Sequence, residues 1–251
     1  MKIQTVILAA GKGTRMQSDV PKPLIEVNGE PMLTHVLKAV EESAVETAPI
    51  IVVGSWTTAI QDYYGNKYQY AVQEEINGTG GAVLSALPLL NTSEAAPPVL
   101  ILYADHPFIT SPSINKLAKL TISSPSVLSM YTVSVPDYED WRQPFNAFGR
   151  VVRDSEGSVS KIVEYKNAND SERQIREVNP ALYCVSASWL ATALTRIKPN
   201  ELTGEYYLTD LVELAVVDGH IIETIPLPPA EALGLNSLED IENAKQAGEL
   251  S

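Results

Sequence analysis

The sequence predicts an α/β protein: a Rossmann-like, mostly parallel sheet with helices on both faces and a β-rich insertion. Two observations carry this expectation. Apolar runs of strand length alternate with stretches of helical periodicity for most of the chain, the pattern of a parallel sheet whose crossovers are helices. One of those runs, Val99 to Tyr103, ends just before Asp105, so a buried strand delivers a carboxylate to the carboxyl edge of the sheet, where ligands of such folds gather.

Each element follows in order. Ile3 to Ala10 is an apolar run that opens directly onto glycines, which predicts the first strand and a turn. The apolar spacing over 31–43 predicts a helix, Ile50 to Gly54 a second strand, and the stretch near Thr57 another helix. The middle then changes character. Val127 to Val135, Phe148 to Arg153 and Val159 to Glu164 read as β segments separated by turn residues, among them Asp154 to Gly157, and they predict a subdomain grafted on the sheet. Glu205 to Val217 and Ser237 to Gly248 carry helical spacing, and Ser237 followed by Asp240 supplies an N-terminal cap for the last helix. Residues 1–251 read as one domain, with parts at 1–125 and 126–236 and a closing helix over 237–251.

Composition narrows the class. At 251 residues, 45% apolar and 20% charged, the chain suits one large α/β domain. No apolar run approaches the roughly 20 residues of a membrane-spanning helix, and the N-terminus enters a strand without a basic lead, which points to a soluble, cytoplasmic protein. The single cysteine, Cys184, lies between apolar residues and is expected in the core. A formal charge of −13 opposes binding to a nucleic-acid backbone, so any anionic ligand must meet a local cationic patch.

The strongest local signal is Leu8-Ala9-Ala10-Gly11-Lys12-Gly13-Thr14-Arg15-Met16, which precedes Pro21-Lys22-Pro23-Leu24. Its two glycines let backbone N–H groups approach phosphate oxygens, as in an anion-binding nest. Such a turn also arises from sterics alone, and this one lacks both the third glycine of a dinucleotide fold and the Gly-Lys-Ser/Thr ending of a P-loop. Three cations within eleven residues, Lys12, Arg15 and Lys22, favour a polyphosphate site, where Arg supplies a bidentate fork and Lys a point charge. Lys12 reads equally well as a solvated surface lysine.

With these residues in view, the chain resembles the sugar nucleotidyltransferases nearly end to end, and within them the uridylyltransferase domain of bacterial N-acetylglucosamine-1-phosphate uridylyltransferases. The resemblance implies that Leu8, Ala10, Gly11 and Gly13 hold the nucleotide, and that Arg15 and Lys22 are catalytic, stabilising the α-phosphate and pyrophosphate. Gln73-Glu74-Glu75-Ile76-Asn77-Gly78-Thr79-Gly80 resembles the segment that reads uracil, with Gln73, Gly78 and Thr79 at the family's spacing. An amide offers one donor and one acceptor edge, which suits a base. Gly81 stands where many members carry a histidine or another polar residue. Leu102-Tyr103-Ala104-Asp105-His106-Pro107 resembles the family's Tyr-Gly-Asp-x-Pro, which implies Asp105 as a metal ligand and Tyr103 and Ala104 beside the sugar, with Ala104 in place of glycine. Ala232-Leu233-Gly234-Leu235-Asn236 resembles the segment that returns an asparagine to the metal. Asp105 and Asn236 together offer two hard oxygens, which suits Mg2+ with its remaining ligands from water and phosphate. Gly149, Glu164, Asn179, Tyr207 and Thr209 match sugar-contact motifs, which makes 126–236 mainly the sugar-binding part and 1–125 mainly the nucleotide-binding part. Val178-Asn179-Pro180-Ala181 departs from the usual Asn-Thr-Gly, which bears on an N-acetyl preference.

The implied reaction forms a UDP-sugar, UDP-N-acetylglucosamine first, from UTP and a sugar 1-phosphate, with release of pyrophosphate. A sugar phosphate is already anionic at neutral pH and can attack in line without a general base, so alignment and charge neutralisation are the protein's task. Two alternatives stand beside it: the same reaction with another sugar, such as glucose 1-phosphate, or another triphosphate, and a non-catalytic nucleotide-sugar-binding module. His35, His106 and His220 are expected to be noncatalytic, and no spacing suggests zinc. The bifunctional relatives add a hexapeptide-repeat, left-handed β-helix for acetyl transfer; no such repeat occurs here, so that activity and that route to a trimer are not expected of this chain.

Overall fold

The computed structural model describes residues 1–13, 20–46, 48–246 and 248. β1 (Gln4–Leu8) leads through a helical turn at Lys22–Leu24 to a hairpin of β2 (Glu26–Val27) and β3 (Glu30–Pro31), then to α1 (Met32–Glu41). β4 (Ile50–Gly54), α2 (Ala59–Tyr64), β5 (Gln69–Gln73), α3 (Thr79–Ala86) and β6 (Val99–Tyr103) follow. The strands pair in the order β5-β4-β1-β6, all parallel, so every connection between them crosses over through a helix.

β4, β6 and the end of β1 are nearly unbroken Val, Ile and Leu because both of their faces are covered, whereas β5, at the sheet edge, is mixed and partly exposed. Val6, Ile50, Val52, Val99 and Ile101 point into one apolar layer with Ala82, Val83 and Ala86 of α3. Ile7, Ile51, Val53, Leu100 and Leu102 point into the opposite layer with Met32, Leu33, Val36 and Val40 of α1.

The second half extends the same sheet. α4 (Ser111–Ser123) is capped by the Thr110 hydroxyl, which accepts from the Ser113 N–H, and it leads to β7 (Leu128–Ser134). Next come β8 (Gly149–Arg153), β9 (Val159–Val163), α5 (Asp170–Arg173), β10 (Glu177–Asn179), β11 (Tyr183–Val185) and α6 (Ala187–Ala193). The chain then runs through α7 (Asp210–Val217), β12 (Ile222–Pro226) and α8 (Leu238–Gln246). β11 is antiparallel to both β6 and β7, and β12 is parallel to β7, so β5, β4, β1, β6, β7 and β12 all run one way. Beyond them β10, β8 and β9 form an antiparallel wing.

The segment Val127 to Val135, expected in a grafted subdomain, is instead shared. The first half of β7 pairs with β11 inside the main sheet, and its end, Val133 and Ser134, pairs with β10 of the wing. The kink between β10 and β11 lies at Pro180 and Ala181, where Pro supplies no N–H and Ala181 takes φ 60. The helix expected over Glu205 to Val217 begins only at Asp210. Upstream of it the backbone is engaged elsewhere: Tyr206 N–H donates to Asn77 O and Gly80 N–H to Tyr206 O, both at 2.8 Å. Ser237 caps α8 as its sequence suggests, its hydroxyl accepting from the Asp240 N–H at 3.2 Å. Cys184 is fully buried on β11. Among the described residues, no helix is long and apolar enough to cross a membrane.

Candidate active site

The carboxyl ends of β1, β5 and β6 open into one cleft of about 530 Å³, closed on its far side by the wing and by the loop before α7. The glycine loop after β1 brings Leu8, Ala10, Gly11 and Gly13 to it; the turn after β5 brings Gln73, Gly78 and Thr79; the end of β6 brings Tyr103, Ala104 and Asp105. Gly149, Glu164, Asn179, Tyr207 and Thr209 line the opposite wall, and Lys22 and Asn236 complete it. Every candidate site residue that lies among the described residues therefore faces the same space. Arg15 lies outside the described residues, and Lys12 is exposed.

The centre of the cleft is an ionic knot. Lys22 is buried, and its ammonium donates to Asp105 Oδ2 and, at 2.6 Å, to Asn236 Oδ1. The glycine loop permits this approach: a Cβ at Gly13 would lie 2.5 Å from Lys22 Cβ, and Gly13 holds φ 60. Asn236 is fixed in turn, since its N–H donates to Asp240 Oδ2 at 2.7 Å, while Leu235 N–H donates to Asp105 O at 2.9 Å. Burial raises the Asp105 carboxyl, but the charge and hydrogen bond of the Lys22 ammonium outweigh it and hold the group below its ordinary range. Asp105 Oδ1 is buried with no hydrogen-bond partner. His106 Nε2 stands 3.8 Å from that oxygen, and burial pushes its imidazole toward the neutral form.

At one end, Gln73 Nε2 donates to Asn77 Oδ1 and Gly78 O, both at 3.1 Å. Asn77 explains Gly81: a Cβ there would lie 1.8 Å from Asn77 Oδ1, so the asparagine amide occupies the space a larger residue would claim. Thr79 Oγ1 accepts from Leu208 N–H at 3.0 Å, which ties this end to the loop before α7. At the other end, Thr209 Oγ1 donates to Glu164 Oε1 at 2.9 Å, and burial raises the Glu164 carboxyl above its usual range. Asn179 uses its amide inside the protein, donating to the Tyr183 hydroxyl and accepting from Ala181 N–H at 2.9 Å.

The Phe148-Gly149 wall rests on a fully buried arginine. Arg150 donates to Phe148 O and, at 3.0 Å, to Asn146 O and Oδ1. Its guanidinium lies between the rings of Tyr138 and Tyr165, at 4.9 and 5.2 Å, and Arg176 and Arg173 cover those rings at 4.5 and 5.3 Å. Sequence reasoning did not select Ile76, Phe148, Pro180, Ala181 or Glu205 as site residues, although all line the cleft. The motif neighbours of Gln73, Gly149 and Asn179 were the signal available for the first four.

Residues 5–192 match the family model of the MobA-like NTP transferase domain. The chain belongs to that family. It is 38% identical over 237 residues to the bifunctional protein GlmU of Geobacillus thermodenitrificans, covering 94% of this chain and 50% of the relative. It is 36% identical over 247 residues to that of Geotalea uraniireducens, covering 97% and 52%. The chain thus spans about half the length of the curated relatives it matches. In fold it is similar to a solved Bacillus anthracis chain assigned as a glucose-1-phosphate thymidylyltransferase, in complex with a sucrose: the TM-score is 0.77 at 16% identity, covering 98% of this chain and 95% of that one.

Proposed function

We propose that the cleft joins the nucleotide of UTP to a sugar 1-phosphate, N-acetylglucosamine 1-phosphate or a close relative, and releases pyrophosphate. The observation that carries this reading is the convergence of Lys22, Asp105 and Asn236 between a glycine loop on one side and a wall of sugar-suited polar groups on the other. The 36–38% identity to GlmU proteins over most of the chain supports the same choice of substrates.

The residues divide the work. Nucleotide contacts belong mainly to 1–125 and sugar contacts mainly to 126–236. Both Nε2 hydrogens of Gln73 are engaged by Asn77 and Gly78, so its amide presents oxygen to a base; an imide N–H, which uracil carries and cytosine lacks, is the fitting partner. Glu164, kept polar by Thr209 and largely desolvated, accepts from sugar hydroxyls. Lys22 neutralises charge on the phosphates, and Arg15 joins it in that role. The sugar phosphate oxygen then attacks the α-phosphorus in line, and the bond to pyrophosphate breaks without any proton transfer by the protein.

A divalent cation fits the same knot. Asp105 Oδ1 is a buried oxygen without a partner, and Asp105 with Asn236 presents only hard oxygen donors, which suits Mg2+ rather than a softer metal. When bound there, Mg2+ supplies Lewis-acid stabilisation of phosphate oxygens. Lys22 holds the other carboxylate oxygen, Oδ2, together with Asn236 Oδ1, so the residues that would hold the cation also place this ammonium beside the phosphates.

A second reading keeps the reaction and changes the sugar. Pro180 offers no N–H to a 2-substituent, and the strained Ala181 adds a methyl group to the wall. Pyrophosphate release with Mg2+ across UTP and the other triphosphates, each with N-acetylglucosamine 1-phosphate and glucose 1-phosphate, decides between them. Release with UTP and the N-acetylated sugar alone supports the first reading, and release with a different pair supports the second. Folded protein that releases none but binds UTP is a binding module.

A further inference from the structure

Trp56 stands in the turn after β4, outside the walls of the cleft, and is 38% exposed. An exposed indole at the tip of a strand needs no function, but this one is built into a contact. Its Nε1 donates to the carbonyl of Ala10 at 3.0 Å. The ring sits so closely on Gly54 that a Cβ there would lie 2.3 Å from Nε1 and 2.8 Å from Ala10 O. Glycine at 54 is therefore what lets a residue of the β4 turn reach the loop after β1.

The consequence lies in the peptide that follows Ala10. The structure has no cis peptide bond among its described residues, and a trans unit directs its C=O and N–H to opposite sides. Holding Ala10 O toward Trp56 therefore turns the N–H of Gly11 the other way. Gly11 lines the cleft, and among the described residues no backbone acceptor takes its N–H. We propose that Trp56 is a positioning residue, which by fixing the Ala10 carbonyl presets the Gly11 N–H as a donor to an oxygen of the bound nucleoside triphosphate. The proposal rests on the nucleotidyltransferase reading above. A preset donor spares the loop the entropy of ordering when the ligand arrives.

The test compares the wild type with Trp56→Phe and Trp56→His. Phenylalanine keeps an aromatic ring over Gly54 but loses the donor. Histidine restores it, because its Nε2 holds the same ring position, counted from Cβ, as the indole Nε1. Calorimetric titration with Mg2+ and UTP, without sugar phosphate, gives affinity apart from turnover; steady-state rates give KM for each substrate. Trp56→Phe weakens UTP binding and raises its KM roughly 3- to 10-fold, the scale of one neutral hydrogen bond. KM for sugar phosphate and kcat at saturating UTP stay within about twofold, and Trp56→His recovers at least half of the lost affinity. Unchanged UTP affinity in Trp56→Phe, in a wild type that binds and turns over UTP, overturns the proposal alone. So does equal loss in Phe and His variants with a matching fall in melting temperature, which is a packing effect. A wild type that binds no nucleoside triphosphate overturns both readings.

Discussion

At Asp105 a single carboxylate gives one oxygen, Oδ2, to the Lys22 ammonium and keeps the other, Oδ1, buried without a partner. That second oxygen is the one Asp105 would give to the proposed metal. Asp105→Asn keeps the shape and removes the charge, so pyrophosphate release at saturating substrates falls about 100-fold or more, the scale of losing one group that stabilises developing charge. A fall below about threefold in folded protein would exclude Asp105 from the metal. Asp210, in the first turn of α7, makes a different prediction. Burial and its neighbours Glu213 and Glu164 raise its carboxyl to about 6. The folded state then keeps a proton between about pH 4 and 6 that the unfolded chain has released, so this group's contribution to stability falls as pH rises through that window. Asp210 is only half-buried and retains much of its hydration, so the penalty at neutral pH is about 1 kcal/mol. Asp210→Asn accordingly raises stability by that amount at pH 7.5 and by nothing at pH 4, as urea unfolding at the two pH values would read.

Among the elements, legibility followed how local their causes are. β4 and β6 were read to the residue because each is a short β-branched and aliphatic run covered on both faces. Many of the residues that line the cleft were named because the glycine loop and the Gln73 and Asp105 segments each form one continuous stretch that resembles a family motif, whereas Ala82 and Glu205 carry no such mark. The start of α7 was misread because Glu205 to Tyr207 has helical spacing while its backbone pairs with Asn77 to Gly80, a contact that spacing cannot report. β12 escaped because only Ile222 of its five residues is buried and it ends on Pro226. Arg150 escaped for a related reason: a lone arginine in a β segment reads as solvent-facing, whereas here two tyrosines from other segments enclose it. That enclosure is the firm floor of the Phe148-Gly149 wall. Arg150→Ala removes the cation that both rings share and leaves the Phe148 and Asn146 carbonyls without their donor, and we expect a loss of about 3 kcal/mol in denaturant unfolding. In a folded preparation the KM for sugar phosphate rises while that for UTP holds; equal changes in both would place the effect elsewhere.

Across the whole molecule, one sheet runs through both parts of the single domain that the sequence suggested. β7 belongs to both, its first half inside the parallel region and its end in the wing, so the two walls of the cleft share a strand as their base. Movement of one wall against the other must bend that strand or turn about the kink at Pro180 and Ala181. The ionic knot at the centre of the cleft has a consequence for how the chain reaches this state. Lys22 meets a partner 83 residues away and another 214 residues away, so the knot ties almost the two ends of the chain together. Closing loops of that length costs entropy before any contact repays it, which places the knot late on the folding route. Asn236→Ala should therefore leave the refolding rate unchanged and speed unfolding, roughly fivefold for about 1 kcal/mol of lost stability. Stopped-flow measurement of both limbs tests this, and slower refolding would place the knot in the transition state. A pocket assembled in that order is a checkpoint: until the segment carrying Asn236 has docked, Lys22 and Asp105 lack the third member of their knot.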